Sequence, residues 1–246
     1  GKYYMVAGSR HNDGSGQIAL FCAGQLDKWE FAGILDRSEN KIGRMWECPD
    51  FYPLDGKQIL MISPQEMEAE GLEFHNGNNT AFLIGNFDKE KLKFTREKIQ
   101  CVDYGLDFYA PQTMETEDGR RILIGWMQSW ANPMYPDSQR FSGMMTIPRE
   151  LSMKGGRICQ LPVHELENYR SNVTRYNNVC IHEETELKGM CGRSVDLQIA
   201  LKGNEYGKFR MKLAADERHY SEVIYDRDEK TLTFDRTHSG FKKDAI

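Results

Sequence analysis

The segment at residues 46–51, Trp-Glu-Cys-Pro-Asp-Phe, places a carboxyl group where it could transfer a proton. Glu47 stands between Trp46 and Cys48, and Pro49 stiffens the backbone because its ring fixes φ. Partial burial disfavours the charged form of a carboxyl group and raises its pKa, which suits a general acid. The residue types alone fit equally well a glutamate that holds a turn or pairs with a base. Glu47 is therefore a candidate general acid.

Two later segments carry the residue types that bind sugars. Residues 107–113, Asp-Phe-Tyr-Ala-Pro-Gln-Thr, combine a carboxylate, a phenol and an amide, and residues 125–130 set two tryptophans four positions apart, Trp126 and Trp130. Flat aromatic faces with polar groups at the rim are typical of small-ligand sites. Taken singly, each segment also fits ordinary aromatic packing between strands. Together with Glu47, they indicate a sugar site.

Short strand-like runs must position these residues. Aromatic and β-branched residues fill the runs, and turns rich in Gly and Asp separate them. The runs before residue 163 lie at 2–8, 17–23, 58–63, 80–86, 107–113, 121–128 and 143–148. Groups of strands about every 40 to 50 residues are typical of propeller blades, and about three groups fit here. The sequence predicts an all-β chain whose residues 1–163 form part of a propeller.

The character of the chain changes after residue 163. Residues 164–178 are polar without a period of two and are predicted to be a connector. Beyond them apolar and polar residues alternate, which predicts strands with one buried face, as in a β-sandwich. The alternating apolar sets are Val195, Leu197, Ile199 and Leu201, then Phe209, Met211 and Leu213. Residues 179–246 are therefore predicted to form an incomplete sandwich.

Composition excludes several classes of function. The net charge of −5 and the lack of a strong Lys/Arg cluster argue against a nucleic-acid partner, and a mean hydropathy of −0.64 argues against a membrane span. The six cysteines form no C-x-x-C pair, the six histidines have no metal-ligand spacing, and no glycine-rich nucleotide loop occurs. We expect no metal and no cofactor. The thiols favour a bacterial cytoplasmic protein, with secretion as the alternative.

Six ordered segments resemble one family, glycoside hydrolase family 32, which includes invertases, sucrose-6-phosphate hydrolases, levanases and inulinases. The segments lie at residues 46–51, 62–65, 103–113, 125–130, 145–151 and 234–236. The resemblance covers nearly the whole chain. It implies a five-bladed propeller followed by a β-sandwich, of which this chain would hold about three blades and part of the sandwich. It also implies hydrolysis of a β-fructoside, namely sucrose, sucrose 6-phosphate or a fructan, with retention of configuration.

The resemblance assigns roles to individual residues. Glu47 would be the acid/base, Cys48 and Tyr109 would lie beside it, and Trp130 would form an apolar wall of the fructose pocket. Three further residues are assigned to the substrate site as groups that orient the others, although each also fits a turn or strand-end partner: Asp50, Asp107 and Gln112. Trp126 is expected in the core.

One feature departs from the family pattern. A retaining enzyme needs a second carboxylate about 5–5.5 Å from the first, and the family takes it from an Asn-Asp-Pro motif, with a further Asp in Arg-Asp-Pro steadying the sugar. This sequence contains no Asp-Pro dipeptide. We expect the chain to be a fragment, truncated at both ends and inactive alone. The alternatives are a fructan- or sucrose-binding remnant without catalysis, and self-association through exposed blade edges.

Overall fold

The computed structural model describes residues 1–130, 140–141, 143–203 and 205–240 and contains fourteen strands in these ranges. The first eleven strands are β1 (Tyr3–Arg10), β2 (Gly16–Ala23), β3 (Trp29–Arg37), β4 (Trp46–Leu54), β5 (Lys57–Pro64), β6 (Ala81–Asp88), β7 (Lys93–Cys101), β8 (Tyr109–Glu115), β9 (Arg121–Trp126), β10 (Arg149–Lys154) and β11 (Arg157–Pro162). A 3-10 helix (His164–Tyr169) precedes β12 (Lys208–Leu213), β13 (Ser221–Asp226) and β14 (Thr231–Asp235). The prediction of an all-β chain is confirmed.

The first eleven strands form three antiparallel sheets in which sequential strands are neighbours. We name them blade 1 (β1–β3), blade 2 (β4–β7) and blade 3 (β8–β11). The first strand of each blade lies against the first strand of the next, β1 against β4 and β4 against β8. Radial sheets that meet at one edge strand each are the arrangement of a β-propeller. The prediction of a partial propeller with about three blades is confirmed.

The middle blade is buried on both of its faces. Residues 59–62 of β5 are a continuous apolar run, Ile-Leu-Met-Ile, with no exposed surface. Leu60 and Ile62 pack in a cluster with residues of blade 1, whereas Ile59 and Met61 pack in a cluster with residues of blade 3. Because successive side chains of a strand point to opposite faces, an unbroken apolar run places blade 2 between two other layers.

Blade 1 approaches blade 2 so closely that two glycines lie at the contact. A Cβ atom on Gly16 would lie 2.4 Å from the carbonyl oxygen of Arg44 and 2.7 Å from the backbone nitrogen of Trp46, and one on Gly8 would lie 2.3 Å from the carbonyl oxygen of Trp46. Trp46 itself is fully buried and donates its indole N–H to the carbonyl of Ile42 at 2.7 Å. The two glycines therefore allow β1 and β2 to seat against the start of β4.

The described residues 165–240, with the gap at 204, form a second compact unit, distinct from the unit of Gly1–His164. Its sheet has the order β12-β13-β14, and the register places Met211, Val223 and Phe234 side by side on one face. The predicted strand at residues 195–201 is wrong, because the structure assigns no strand there. No described segment pairs with these residues, and Val195 and Ile199 are exposed. The boundaries proposed for the connector and the sandwich stay predictions.

The described residues contain no helix with the length and apolar character of a membrane span. In the same ranges, no three His, Cys, Asp or Glu side chains are grouped in a way that could hold a metal ion.

Gly16→Ala is expected to lower the free energy of unfolding by about 1–3 kcal/mol, because the added methyl group must displace backbone atoms. Gly24→Ala, just after the same strand, is the matched control, since a Cβ there meets nothing within 4 Å. Thermal and urea unfolding measure both variants. Equal stabilities of the two variants would contradict the close contact between blades 1 and 2.

Blade 1 also carries an exposed apolar row. Met5, Phe21 and Phe31 are register partners across β1, β2 and β3, and the Phe21 and Phe31 rings meet edge to face at 5.6 Å. Phe31 is 62% exposed and Met5 is 39% exposed. Apolar side chains on an open sheet next to unpaired edge strands favour contact with another chain.

Self-association through exposed blade edges stays a prediction, and the apolar row makes blade 1 the candidate surface. Light scattering on a size-exclusion column tests it. We expect a mass above that of the monomer, which Phe31→Glu should reduce toward the monomer mass. Tyr169→Ser, which changes another exposed aromatic residue outside blade 1, should leave the mass unchanged. A monomer at every concentration would contradict the prediction.

Candidate active site

A β-bulge shapes the start of β4. The pairing of β4 with β5 runs from Glu47 opposite Ser63 directly to Asp50 opposite Met61, so β4 contains one extra residue. Cys48 lies in this bulge with a φ of +45°, a left-handed conformation that non-glycine residues rarely adopt. Pro49 follows it and cannot donate a ladder hydrogen bond, which is compatible with a bulged edge strand. The bulge redirects the chain where Glu47 leaves the ladder.

The start of β8 contains the same bulge. The pairing with β9 runs from Tyr109 opposite Trp126 directly to Gln112 opposite Ile124, and Ala110 has a φ of +49°. The two sequences follow the same pattern: a candidate site residue, a small left-handed residue, a proline and a polar residue. Glu47 and Tyr109 thus occupy equivalent positions on the innermost strands of neighbouring blades.

The side chains of Glu47 and Tyr109 meet. The Tyr109 hydroxyl donates to Oε2 of Glu47 at 2.8 Å, and the carbonyl of Ser63, at 3.2 Å, is its alternative acceptor. Burial raises the pKa of Tyr109, and its hydrogen bond to Glu47 and the charge of that residue raise it further. Tyr109 is therefore a neutral hydrogen-bond donor at physiological pH, fixed on one oxygen of Glu47.

Both bulges line a hollow of about 420 Å³, a size typical of small-molecule sites. Glu47 is the one acidic residue among the described residues that line it. The lining consists of Gly8, Met45, Trp46, Glu47, Cys48, Pro49, Tyr109, Ala110, Trp126 and Trp130. The hollow therefore combines one carboxyl group and one phenol with a largely apolar wall.

Two tryptophans form part of this wall. Trp126 and Trp130 meet edge to face with their ring centroids 5.2 Å apart, and Trp130 is 67% exposed. The prediction that Trp126 belongs to the core is wrong, because Trp126 ends β9 opposite Tyr109 and so reaches the hollow. An exposed aromatic face beside polar groups can stack against the C–H face of a sugar.

The other residues predicted from sequence fall into two groups. Cys48 lines the hollow, and burial together with the charge of Glu47 raises the pKa of its thiol. Asp50, Asp107 and Gln112 lie outside the lining of the hollow, and their assignment to substrate binding stays a prediction. Asp50 and Gln112 instead form hydrogen bonds to the opposite strand, at Thr113 and Cys48 respectively.

Sequence reasoning missed Gly8, Met45 and Ala110 as lining residues. The repeated pattern of a small residue followed by proline, at Cys48 and again at Ala110, is a signal that could have revealed the paired bulges. Nothing in the local sequence distinguishes Gly8 or Met45, because tertiary packing alone brings them to the hollow.

Two family models together match almost the whole chain. Residues 1–162 match the glycosyl hydrolases family 32 N-terminal domain, and residues 165–246 match the glycosyl hydrolases family 32 C terminal domain. The chain belongs to glycoside hydrolase family 32. The resemblance found in the sequence is thereby confirmed, and so is a fold that combines propeller blades with part of a β-sandwich.

Individual relatives agree with this assignment. A sucrose-6-phosphate hydrolase of Staphylococcus xylosus is 32% identical over 98% of this chain and 49% of its own length, and a raffinose invertase of Escherichia coli is 37% identical over 74% of this chain and 38% of its own length. A Bombyx mori family 32 β-fructofuranosidase, a mutant solved with sucrose, superposes with a TM-score of 0.77 at 30% identity, over 92% of this chain and 48% of that one. The chain thus spans about half the length of these relatives or less.

The Tyr109–Glu47 bond predicts how the phenol titrates. Tyr109 should stay protonated well above the ordinary tyrosine pKa of about 10. Glu47→Gln should lower the pKa of Tyr109 because it removes the negative charge, yet leave it raised, because burial is the larger cause. NMR of tyrosine labelled at Cζ measures this titration, and Tyr109→Phe identifies the signal. A Tyr109 that titrates at the same pH with and without the Glu47 charge would contradict the contact.

Proposed function

We propose that this chain is the acid/base half of a retaining β-fructosidase. The observation that carries the proposal is the Glu47 carboxyl group at a hollow of small-molecule size, held at 2.8 Å by a neutral phenol and flanked by two indole rings. Membership of family 32 and relatives named as sucrose-6-phosphate hydrolase and raffinose invertase support it.

Glu47 has the role of proton donor and then proton acceptor. In the first step its protonated form gives a proton to the leaving-group oxygen as the glycosidic bond breaks and a carboxylate attacks the anomeric carbon. In the second step Glu47 takes a proton from water as the water oxygen displaces that carboxylate. Tyr109 binds Oε2 and thereby leaves Oε1 to face the substrate, so one oxygen is fixed and the other exchanges the proton.

The attacking carboxylate has to come from outside this chain. Double displacement requires two carboxyl groups about 5–5.5 Å apart, and Glu47 supplies one. Among the described lining residues no second acid is present, and the sequence has no Asp-Pro that could supply the family nucleophile. The chain alone is therefore proposed to hydrolyse β-fructosides negligibly.

The substrate is a β-fructoside: sucrose, sucrose 6-phosphate or a fructan. A bacterial cytoplasmic location is proposed, with secretion as the alternative. Relatives from Staphylococcus xylosus and Escherichia coli support a bacterial source. The six cysteines are all free thiols, which supports a reducing compartment.

The purified chain should bind fructose without cleaving sucrose. Binding is expected to quench tryptophan fluorescence, and Trp130→Ala should weaken it about tenfold, the effect of losing roughly 1.4 kcal/mol of stacking. Trp29→Ala is the matched control, since Trp29 bonds to the carbonyl of Leu26 and does not line the hollow. Free fructose from sucrose should stay at the level of the Glu47→Gln variant.

Two results would count against the proposal. Fructose release at an ordinary enzymatic rate that disappears in Glu47→Gln would show that the chain needs no external carboxylate. The alternative function, binding of sucrose or fructan without catalysis, is supported if the chain binds sugar while the same reading frame, extended upstream through an Asn-Asp-Pro motif, still fails to hydrolyse it.

A further inference from the structure

The two bulges are tied to each other by side chains that cross in opposite directions. Oδ2 of Asp50, just after the β4 bulge, accepts the backbone N–H of Thr113 at 2.8 Å and its hydroxyl at 2.6 Å. Nε2 of Gln112, just after the β8 bulge, donates to the carbonyl of Cys48 at 3.0 Å. Each polar residue thus holds the backbone of the opposite strand.

These bonds satisfy backbone groups that the sheets leave without hydrogen-bond partners. β4 and β8 are edge strands of their sheets, so the backbone groups that face away from β5 and β9 have no ladder partner. Asp50 satisfies such an N–H on β8, and Gln112 satisfies such a carbonyl on β4. A carboxylate accepts shorter and stronger hydrogen bonds than a neutral oxygen does. Because Asp50 accepts two such bonds from one residue, Thr113, both the distance and the direction of the contact are fixed.

We propose that Asp50 and Gln112 are positioning residues, which clamp the β4 and β8 bulges together and thereby hold Glu47 against Tyr109. The significance of this clamp for hydrolysis rests on the acid/base role proposed for Glu47. The clamp itself does not, since it consists of contacts within the chain. Glu47 and Tyr109 belong to different blades, so their 2.8 Å contact survives only if the two bulges keep their separation.

The reactivity of Cys48 reports on the clamp without any sugar. The thiol lies inside the β4 bulge, and the carbonyl of the same residue is the group that Gln112 holds. Cys48 is already exposed, so loosening the bulge should change its reactivity through the thiolate and not through access. Partial desolvation and the nearby charge of Glu47 raise the pKa of the thiol, and moving the bulge away from its neighbours weakens both causes. Iodoacetamide should therefore modify Cys48 about threefold faster or more in Asp50→Ala and in Gln112→Ala. Mass spectrometry follows Cys48, with the exposed Cys180 and Cys191 as internal references.

Two controls separate positioning from general stability. Asp55→Ala removes a similar bond, in which Oδ2 of Asp55 accepts the N–H of Met153 in blade 3 at 2.8 Å, away from the hollow. Asp55→Ala should lower the free energy of unfolding without changing the rate at which iodoacetamide modifies Cys48. Thr113→Ser keeps both donors to Asp50 and should react like the original chain, whereas Thr113→Val, which keeps only the N–H, should be intermediate. Asp50→Asn replaces Asp50→Ala if the latter does not fold.

An unchanged Cys48 rate in folded Asp50 and Gln112 variants would overturn the clamp. So would an equal acceleration in Asp55→Ala. Fructose binding, measured on the same variants, keeps the two proposals apart. If the chain binds no sugar but the variants show the predicted Cys48 rates, the clamp is supported and the proposed function is contradicted. If the chain binds sugar but the Cys48 rates are unchanged, the proposed function is supported and the clamp is contradicted.

Discussion

The hydrogen bond from Tyr109 to Glu47 joins residues 62 positions apart in the chain, on different blades, and the candidate site depends on it. A hydrogen bond to a charged acceptor contributes about 1.5–3 kcal/mol, and it does so only where the two groups arrive in register. Neither strand can adjust freely, because each turns at a bulge with a left-handed residue, Cys48 or Ala110. The geometry of the site is therefore set by how the blades pack.

That packing originates in blade 2. Its β5 strand contributes one apolar set to the cluster shared with blade 1 and the other to the cluster shared with blade 3. The same blade carries Glu47 on β4, so the candidate acid is attached to a sheet that is buried on both faces. Trp46, which is fully buried next to it, anchors that end of the strand, and Gly16 lets blade 1 close over the contact.

Several features of this arrangement could be predicted from the residues. The continuous run at 59–62 and the turns rich in Gly and Asp predict strands because local chemistry decides them, and the ordered family segments located Glu47, Cys48, Tyr109 and Trp130, which do line one hollow. The prediction of a strand at residues 195–201 was wrong because alternation of apolar and polar residues shows only that one face could be buried. A strand forms only when a partner strand is there to pair with it. The prediction that Trp126 lies in the core was wrong because the position of its side chain depends on the bulge in the opposite strand.

The structure also shows which contacts orient Glu47, the residue proposed as the acid/base. Glu47, its donor Tyr109, and the crossing bonds of Asp50 and Gln112 all lie in blades 2 and 3, and their partners Ser63, Thr113 and Cys48 lie there as well. Among the described residues, the hydrogen bonds that orient Glu47 therefore all lie within these two blades. The nucleophile of a retaining reaction, by contrast, must approach from across the hollow, because it attacks the anomeric carbon while the acid protonates the leaving-group oxygen. Under the acid/base role proposed for Glu47, the acid is thus oriented by contacts within blades 2 and 3, which are separate from any contacts that would place the nucleophile.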